Sequence, residues 1–278
     1  MAASTTATLD DLFANIIQEA IFTAQQRSLV RNFVSIYDIS GQSGKTVQVP
    51  IYPEVAAAAL TEGTDLSSTA VSTSSKTITV AEVGVQAVLT DLAAQAAAGD
   101  VAGDLGRVLG EAVAKKMDQD LIALFTGFSQ GFGAAGGELT VADFFKAAAT
   151  LSANGASGQA SAIIHPFQAY ALKANMTNTF ANPNGGDLQN EAMRTGYVGQ
   201  LAGINVYESS NIAVDSSDDA IGAVFVPSAL GLAVCWDVKI EPQRDASIRG
   251  FELNATACYG VGELVDLNGV KLTADAAL

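Results

Sequence analysis

Between Asp100 and Phe125 the apolar residues of DVAGDLGRVLGEAVAKKMDQDLIALF recur at helical spacing. The run predicts a single helix roughly 40 Å long. Asp100 is placed to cap its start and Gly127 to stop it. Val101, Leu105, Val108, Leu109 and Ala112 share one face. Val113, Met117, Leu121, Leu124 and Phe125 share another, rotated from the first by roughly 120°. The apolar stripe is therefore expected to change sides near Val113, so that the helix packs on one layer at its start and another at its end. Asp104, Arg107, Glu111, Lys115 and Asp118 predict a charge ladder along one flank. Gly103, Gly106 and Gly110 weaken the helix and open one side to close approach.

Upstream, Thr8 and Asp11 begin a capping pattern. Leu9, Leu12, Phe13, Ile16, Ile17, Ala20 and Ile21 then predict an amphipathic helix. Residues 28–43 read as irregular chain ending in a turn at Gly41–Gly44. Two strands follow, Lys45–Tyr52 and Lys76–Leu89, the second with a register break near Ala81–Glu82 that suggests a bulge. Between them, Pro53–Ser75 offers only Val55, Leu60, Leu66 and Val71 as large apolar residues. Such a hairpin cannot build a core of its own. It is expected to project as an arm that pairs with a neighbouring copy.

Downstream of the long helix, Gln130–Gly137 reads as a flexible connection. Thr140 and Asp143 form a capping box, with Leu139 able to staple on Phe144, for a helix to about Leu151. Ser161–His165 predicts a buried strand, and Pro166 a helix start running to about Lys173. Residues 174–189 read as loop and Glu191–Arg194 as a short helical piece. Strands are expected at Gly203–Tyr207, Val224–Val226, Leu232–Ile240, Phe251–Val265 and Val270–Leu272, with an acidic loop at Asn211–Asp219.

Composition sharpens this picture. Of 278 residues, 49% are hydrophobic and only 15% charged, with a net charge of −15. So few charges leave apolar surface for subunit contacts to cover. The negative balance argues against binding nucleic acid through the net field. The first Lys or Arg is Arg27, so the start lacks the cationic region of a secretory signal. The apolar run Ile221–Trp236 is too short and interrupted for a membrane span. A soluble product made in a cytosol is expected. Cys235 and Cys258, both in strand-like runs, read as buried thiols in preference to a disulfide.

The search for chemistry returns no credible site. GQSGKT at 41–46 lacks the first glycine of a phosphate loop, since Ile39 holds that position, and a strand follows it instead of a helix. His165 is the single histidine; Pro166 after it points to a helix-start residue, and no Gly-x-Ser-x-Gly elbow exists. Asp215, Asp218 and Asp219 lack calcium-loop spacing, with Val226 where the final acidic ligand belongs. Gly260-Val-Gly262 is not followed by a third glycine or a helix. Asp118 and Asp120 face different sides of a helix. No catalytic residue, cofactor-binding residue or metal ligand is assigned, and the chain is read as a non-enzyme.

KTVQVPIYPEVAAAALTEGTDL, TITVAEVGVQAVLTDLA, LGRVLGEAVAKKMDQDLIALF and GQLAGINVYESSNI, in that order, resemble the major capsid proteins of tailed bacteriophages with the Hong Kong 97 fold, including those of cyanobacterial phages. The likeness covers nearly the whole chain. It implies an α+β fold with residues 1–34 as an N-terminal arm, its helix over Leu9–Gln26, and 45–89 as an extended loop. Residues 35–44, 90–156 and 241–278 would form a peripheral domain around a spine helix at 100–126. Residues 157–240 would form an axial domain. The implied function is self-assembly through hexamers and pentamers into an icosahedral head enclosing double-stranded DNA, without sequence-specific binding and without a membrane. Portal, scaffolding or decoration proteins are the implied further partners, and the virion, assembled in the host cytoplasm, is the implied location. Some relatives carry a cleaved scaffolding segment; here the arm begins almost at Met1, which implies that the segment is absent or removed. Lys45 and Lys76 lie in the loop strands, away from its tip, so the covalent crosslinking of some relatives is not carried over. Pro53–Ser75, Gly131–Gly137 and the N-arm are the segments expected to bend between five-fold and six-fold rings. The alternative is an encapsulin-like nanocompartment shell that encloses cargo enzymes.

Overall fold

The structure is a computed structural model that describes residues 29–41, 44–52, 70–96, 101–180 and 200–277, with scattered positions between 55 and 65. The helix expected over Leu9–Ile21, about half of Pro53–Ser75 and the piece at Glu191–Arg194 lie outside the described residues.

In chain order the elements are β1 (Ser35–Asp38), β2 (Thr46–Ile51), β3 (Ser74–Thr79), β4 (Ala81–Thr90), α1 (Asp91–Ala96), α2 (Val101–Ala123), β5 (Gly131–Gly133), α3 (Val141–Ala153), β6 (Ser161–Ile164), α4 (Pro166–Phe180), β7 (Gln200–Leu201), β8 (Ile204–Glu208), β9 (Asp219–Phe225), β10 (Leu230–Asp245), β11 (Gly250–Glu263) and β12 (Gly269–Asp275). They form a four-stranded sheet, β1-β10-β11-β4, a six-stranded sheet, β5-β12-β9-β6-β8-β7, and the two-stranded ribbon β2-β3.

Alternation in β4 and β11 turns Val83, Val85, Ala87, Leu253, Ala255, Ala257 and Tyr259 toward the core that α2 fills. On α2 the buried apolar side chains are Leu109, Val113, Ala114, Met117, Leu121 and Ile122, followed by Phe125 in a terminal 3₁₀ turn. Val108 is 56% exposed, so the two separate faces expected from the sequence are not what is buried. The stripe advances in steps of four from Leu105 to Phe125, drifting about 40° per step, and so winds around the helix without a switch. The outcome for the layers is nevertheless as expected. The helix packs along β4 and β11, and its end reaches the six-stranded sheet, where the Phe125 ring lies 5.4 Å from that of Phe225. The expected charge ladder is corrected at Asp118. Asp118 is fully buried; Asp104 and Arg107 pair as the ladder predicts, and Lys116 pairs with Asp120 beside it.

Other expectations shift for tertiary reasons. The expected single strand 76–89 is two strands in different sheets, β3 and β4, with the break at Val80. Residues 35–38 are not irregular; they run parallel to β10, Ser35 opposite Gly231. Gly131–Gly137 is not a free connection. β5 pairs with β12, the Gly136 amide donates to Asp219, and the Asp275 amide donates to the Gly137 carbonyl. Helix α4 runs past Lys173 to Phe180. The capping box at Thr140–Asp143 is present, and Leu139 and Phe144 are both fully buried beside it. The two sheets also interleave along the chain. β5 and β12 belong to the six-stranded sheet, α3 packs beside them, and all of β10 lies in the four-stranded one.

Candidate functional site

The ribbon β2-β3 pairs with itself in register from Thr46↔Thr79 to Ile51↔Ser74. Most of its side chains are exposed, and beyond it Tyr52, Val55 and Val71 are more than half exposed. Its root is fixed by close packing. The Val80 amide donates to the Lys45 carbonyl at 2.9 Å. Ile78 is 1% exposed and sits on a floor made by Gly231, Gly260 and Gly262 of β10 and β11. A methyl group added at Gly231 would lie 2.8 Å from Ile78 Cδ1, and one at Gly262 2.9 Å from its Cγ1. At Gly260 it would meet the Thr79 carbonyl, 2.8 Å from the carbonyl carbon. The Gly-Val-Gly pair that failed as a nucleotide fingerprint is therefore the seat of the ribbon. Glycines two apart in a strand signal such an approach of another backbone.

A second anchor holds the point where residues 1–28 join the described fold. The buried Asp118 carboxylate of α2 accepts hydrogen bonds from the Leu29 amide at 3.0 Å and the Val30 amide at 3.3 Å. Arg31 donates to both carboxylate oxygens of Asp237, at 2.7 and 3.1 Å. Asp237 lies where the register of β10 on β11 shifts, between Trp236 and Lys239. Phe33 packs on Tyr207 with ring centroids 4.4 Å apart. Asp120 faces elsewhere, as expected: it accepts from Lys116 at 2.6 Å and from the Tyr259 hydroxyl at 2.8 Å. Burial, and then the Asp120 carboxylate beside it, raise the Tyr259 pKa.

His165 starts α4, as its position before Pro166 predicts. Its Nδ1 accepts from the Phe167 amide at 3.3 Å, and its ring meets Phe167 edge-on. Burial lowers its pKa below the ordinary histidine value. Gln168, fully buried, was not singled out in the sequence. It accepts from the His165 amide at 3.2 Å and donates to the carbonyls of Ala220 and Ala274 at 2.7 and 2.9 Å. Those alanines face each other across β9 and β12, so one side chain ties α4 to the sheet. A buried glutamine near a helix start has no distinctive spacing that would reveal this role.

The acidic loop does not converge on a centre. Asp215 accepts from the Ser217 and Asp219 amides, and Asp219 accepts from Gly136. Among the described residues no three His, Cys, Asp or Glu side chains are grouped to hold a metal ion, and no helix is long and apolar enough to cross a membrane. What the geometry supplies is an anchored projecting ribbon, an anchored N-terminal junction and a stiff frame.

A family model described as phage capsid protein matches residues 73–271. The chain belongs to that family. Its fold is that of Hong Kong 97-type capsid proteins, and it is a major capsid protein. The capsid structure of cyanophage P-SCSP1u superposes with a TM-score of 0.70 at 20% identity, covering 88% of this chain and 87% of that one. A structure from Mycobacterium phage Che8 gives 0.65 at 18%, covering 83% and 85%. The capsid of the native GTA particle gives 0.70 at 15%, covering 90% of each chain. No curated protein matches the sequence. The nanocompartment alternative is not favoured by this family assignment.

Proposed function

We propose that this capsid protein closes through hexamers and pentamers into an icosahedral head around the double-stranded DNA of a tailed phage, in the host cytoplasm, without catalysis. The observation that carries the reading is the β2-β3 ribbon, held firmly at its root and paired, among the described residues, with nothing but itself. A strand pair of this kind gains its order from a neighbouring copy. Heterologous contacts between copies close into rings when the rotation allows. Residues 45–89 act as the extended loop, its return strand β4 rooted in the four-stranded sheet, and 1–34 as the N-terminal arm. Residues 35–44, 90–156 and 241–278 act as the peripheral domain and 157–240 as the axial domain; the boundary at 240 falls inside β10, which ties the two together. With a net charge of −15 the chain has little affinity for phosphates, so the DNA is enclosed without sequence-specific binding, and no membrane takes part. Portal, scaffolding or decoration proteins complete the head.

Deleting residues 54–73, beyond the end of β2, tests the reading. The variant is expected to remain folded by circular dichroism and to yield no stable shells by negative-stain electron microscopy. Shells of normal size from the variant would refute it.

A further inference from the structure

Cys235 and Cys258 lie on adjacent antiparallel strands at an irregularity. Val234 pairs with Tyr259 and Trp236 with Cys258, so Cys235 and Trp236 together oppose the one residue Cys258. A bulge of this type puts two residues of one strand against one of the other. Both cysteines pack in the cluster that surrounds the ribbon root, with Ile78, Ala233 and Leu264. Both are free thiols, Cys258 buried and Cys235 half-buried. Facing residues of antiparallel strands have Cα atoms about 4.5–5.5 Å apart, inside the roughly 4.4–6.8 Å that a disulfide spans.

We propose that Cys235 and Cys258 form a dithiol modification site that closes to an intrachain disulfide between β10 and β11 when a low-molecular-weight disulfide is supplied. The roles of the two thiols differ. Burial, and then the Cys235 thiol within hydrogen-bonding reach, raise the Cys258 pKa. Cys235 is the more accessible, so its thiolate attacks one sulfur of oxidised glutathione and expels a glutathione thiolate. The Cys258 thiol then gives up its proton to solvent and attacks the Cys235 sulfur. The second glutathione leaves as thiolate. The protein loses two protons and two electrons, and oxidised glutathione is reduced to two glutathione molecules. The closed link pins the bulged strand on which the ribbon root rests. Its timing rests on the shell reading: a chain folded in a reducing cytosol keeps both thiols, and a released particle meets an oxidising medium.

The test uses the full chain, purified under reducing conditions and then held with excess oxidised glutathione at neutral pH. Intact mass under denaturing, non-reducing conditions is expected to show the loss of two hydrogens per chain, restored by dithiothreitol. Cys258→Ser is expected to stop at one glutathione adduct on Cys235, and Cys235→Ser to react far more slowly. Native wild-type chains that keep both thiols, or stop at a glutathione adduct, would overturn the site, as would closure only after denaturation. Particles are tested separately by alkylation. Two alkyl groups per chain in fresh lysate and none after storage in air support the timing. Two after storage, with the isolated chain still closing, would overturn the timing and leave the site standing.

Discussion

Gly260→Ala probes whether the ribbon root is a close-packed seat. The added methyl group would press on the Thr79 carbonyl, a backbone group that cannot rotate away. Two responses are open to the protein. β11 and β3 can shift apart, an overpacking strain of about 1–3 kcal/mol. Otherwise the ribbon lifts and Ile78 leaves its pocket, which forfeits about 1.5–3 kcal/mol of apolar burial. Either way the expected loss is about 2 kcal/mol, which at roughly 2–4 °C per kcal/mol lowers the melting temperature by roughly 4–8 °C. Calorimetry of the unassembled chain measures the shift. Hydrogen exchange identifies the response, since a lifted ribbon loses protection in β2 and β3 first. Asn254→Ala on the same strand, where no backbone is displaced, is the control. A Gly260→Ala chain that melts with the control and keeps the ribbon amides protected would show that Thr79 does not rest on Gly260.

Gln168→Leu leaves buried hydrogen-bonding groups of α4, β9 and β12 unpaired and is expected to cost about 3 kcal/mol, read as a lower denaturation midpoint at unchanged slope. Asp118→Ala removes the acceptor of the Leu29 and Val30 amides and is expected to cost about 2 kcal/mol; faster exchange at those two amides separates loss of the anchor from general softening, and unchanged exchange would refute the anchor. His165 gives a pH signature. Its folded pKa lies below the unfolded value, so the unfolded chain takes up the proton first as pH falls. Its contribution is present above pH about 6.5 and is lost below it, as pH falls toward and through the lowered folded value. The melting temperature should therefore drop between pH 7 and 5. His165→Asn, which keeps a side-chain acceptor at the helix start, should flatten that window; an undiminished drop would assign it to other groups.

Much of the fold is legible from local rules. The long helix, the capping box at Thr140–Asp143, the helix start at Pro166 and the alternating strands follow from period, caps and breakers, which act within a few residues. The histidine count is equally local information: a single His165 is too few for any site that needs two. The chain's shortage of large apolar residues over Pro53–Ser75 marks a segment that cannot build a core of its own.

Tertiary structure alone decided the rest, because those choices are made by partners distant in the chain. β1 is a strand only because β10 offers an edge some 200 residues on. Asp118 reads as one rung of a surface ladder until the amides of Leu29 and Val30 arrive to satisfy it. Gly131–Gly137 reads as slack until β12 and Asp219 tie it down. Gly260 and Gly262 read as a failed motif until β3 lies across them. A residue's local pattern sets which conformations are cheap. Which of them is buried, paired or neutralised depends on the surface that another part of the chain brings to it.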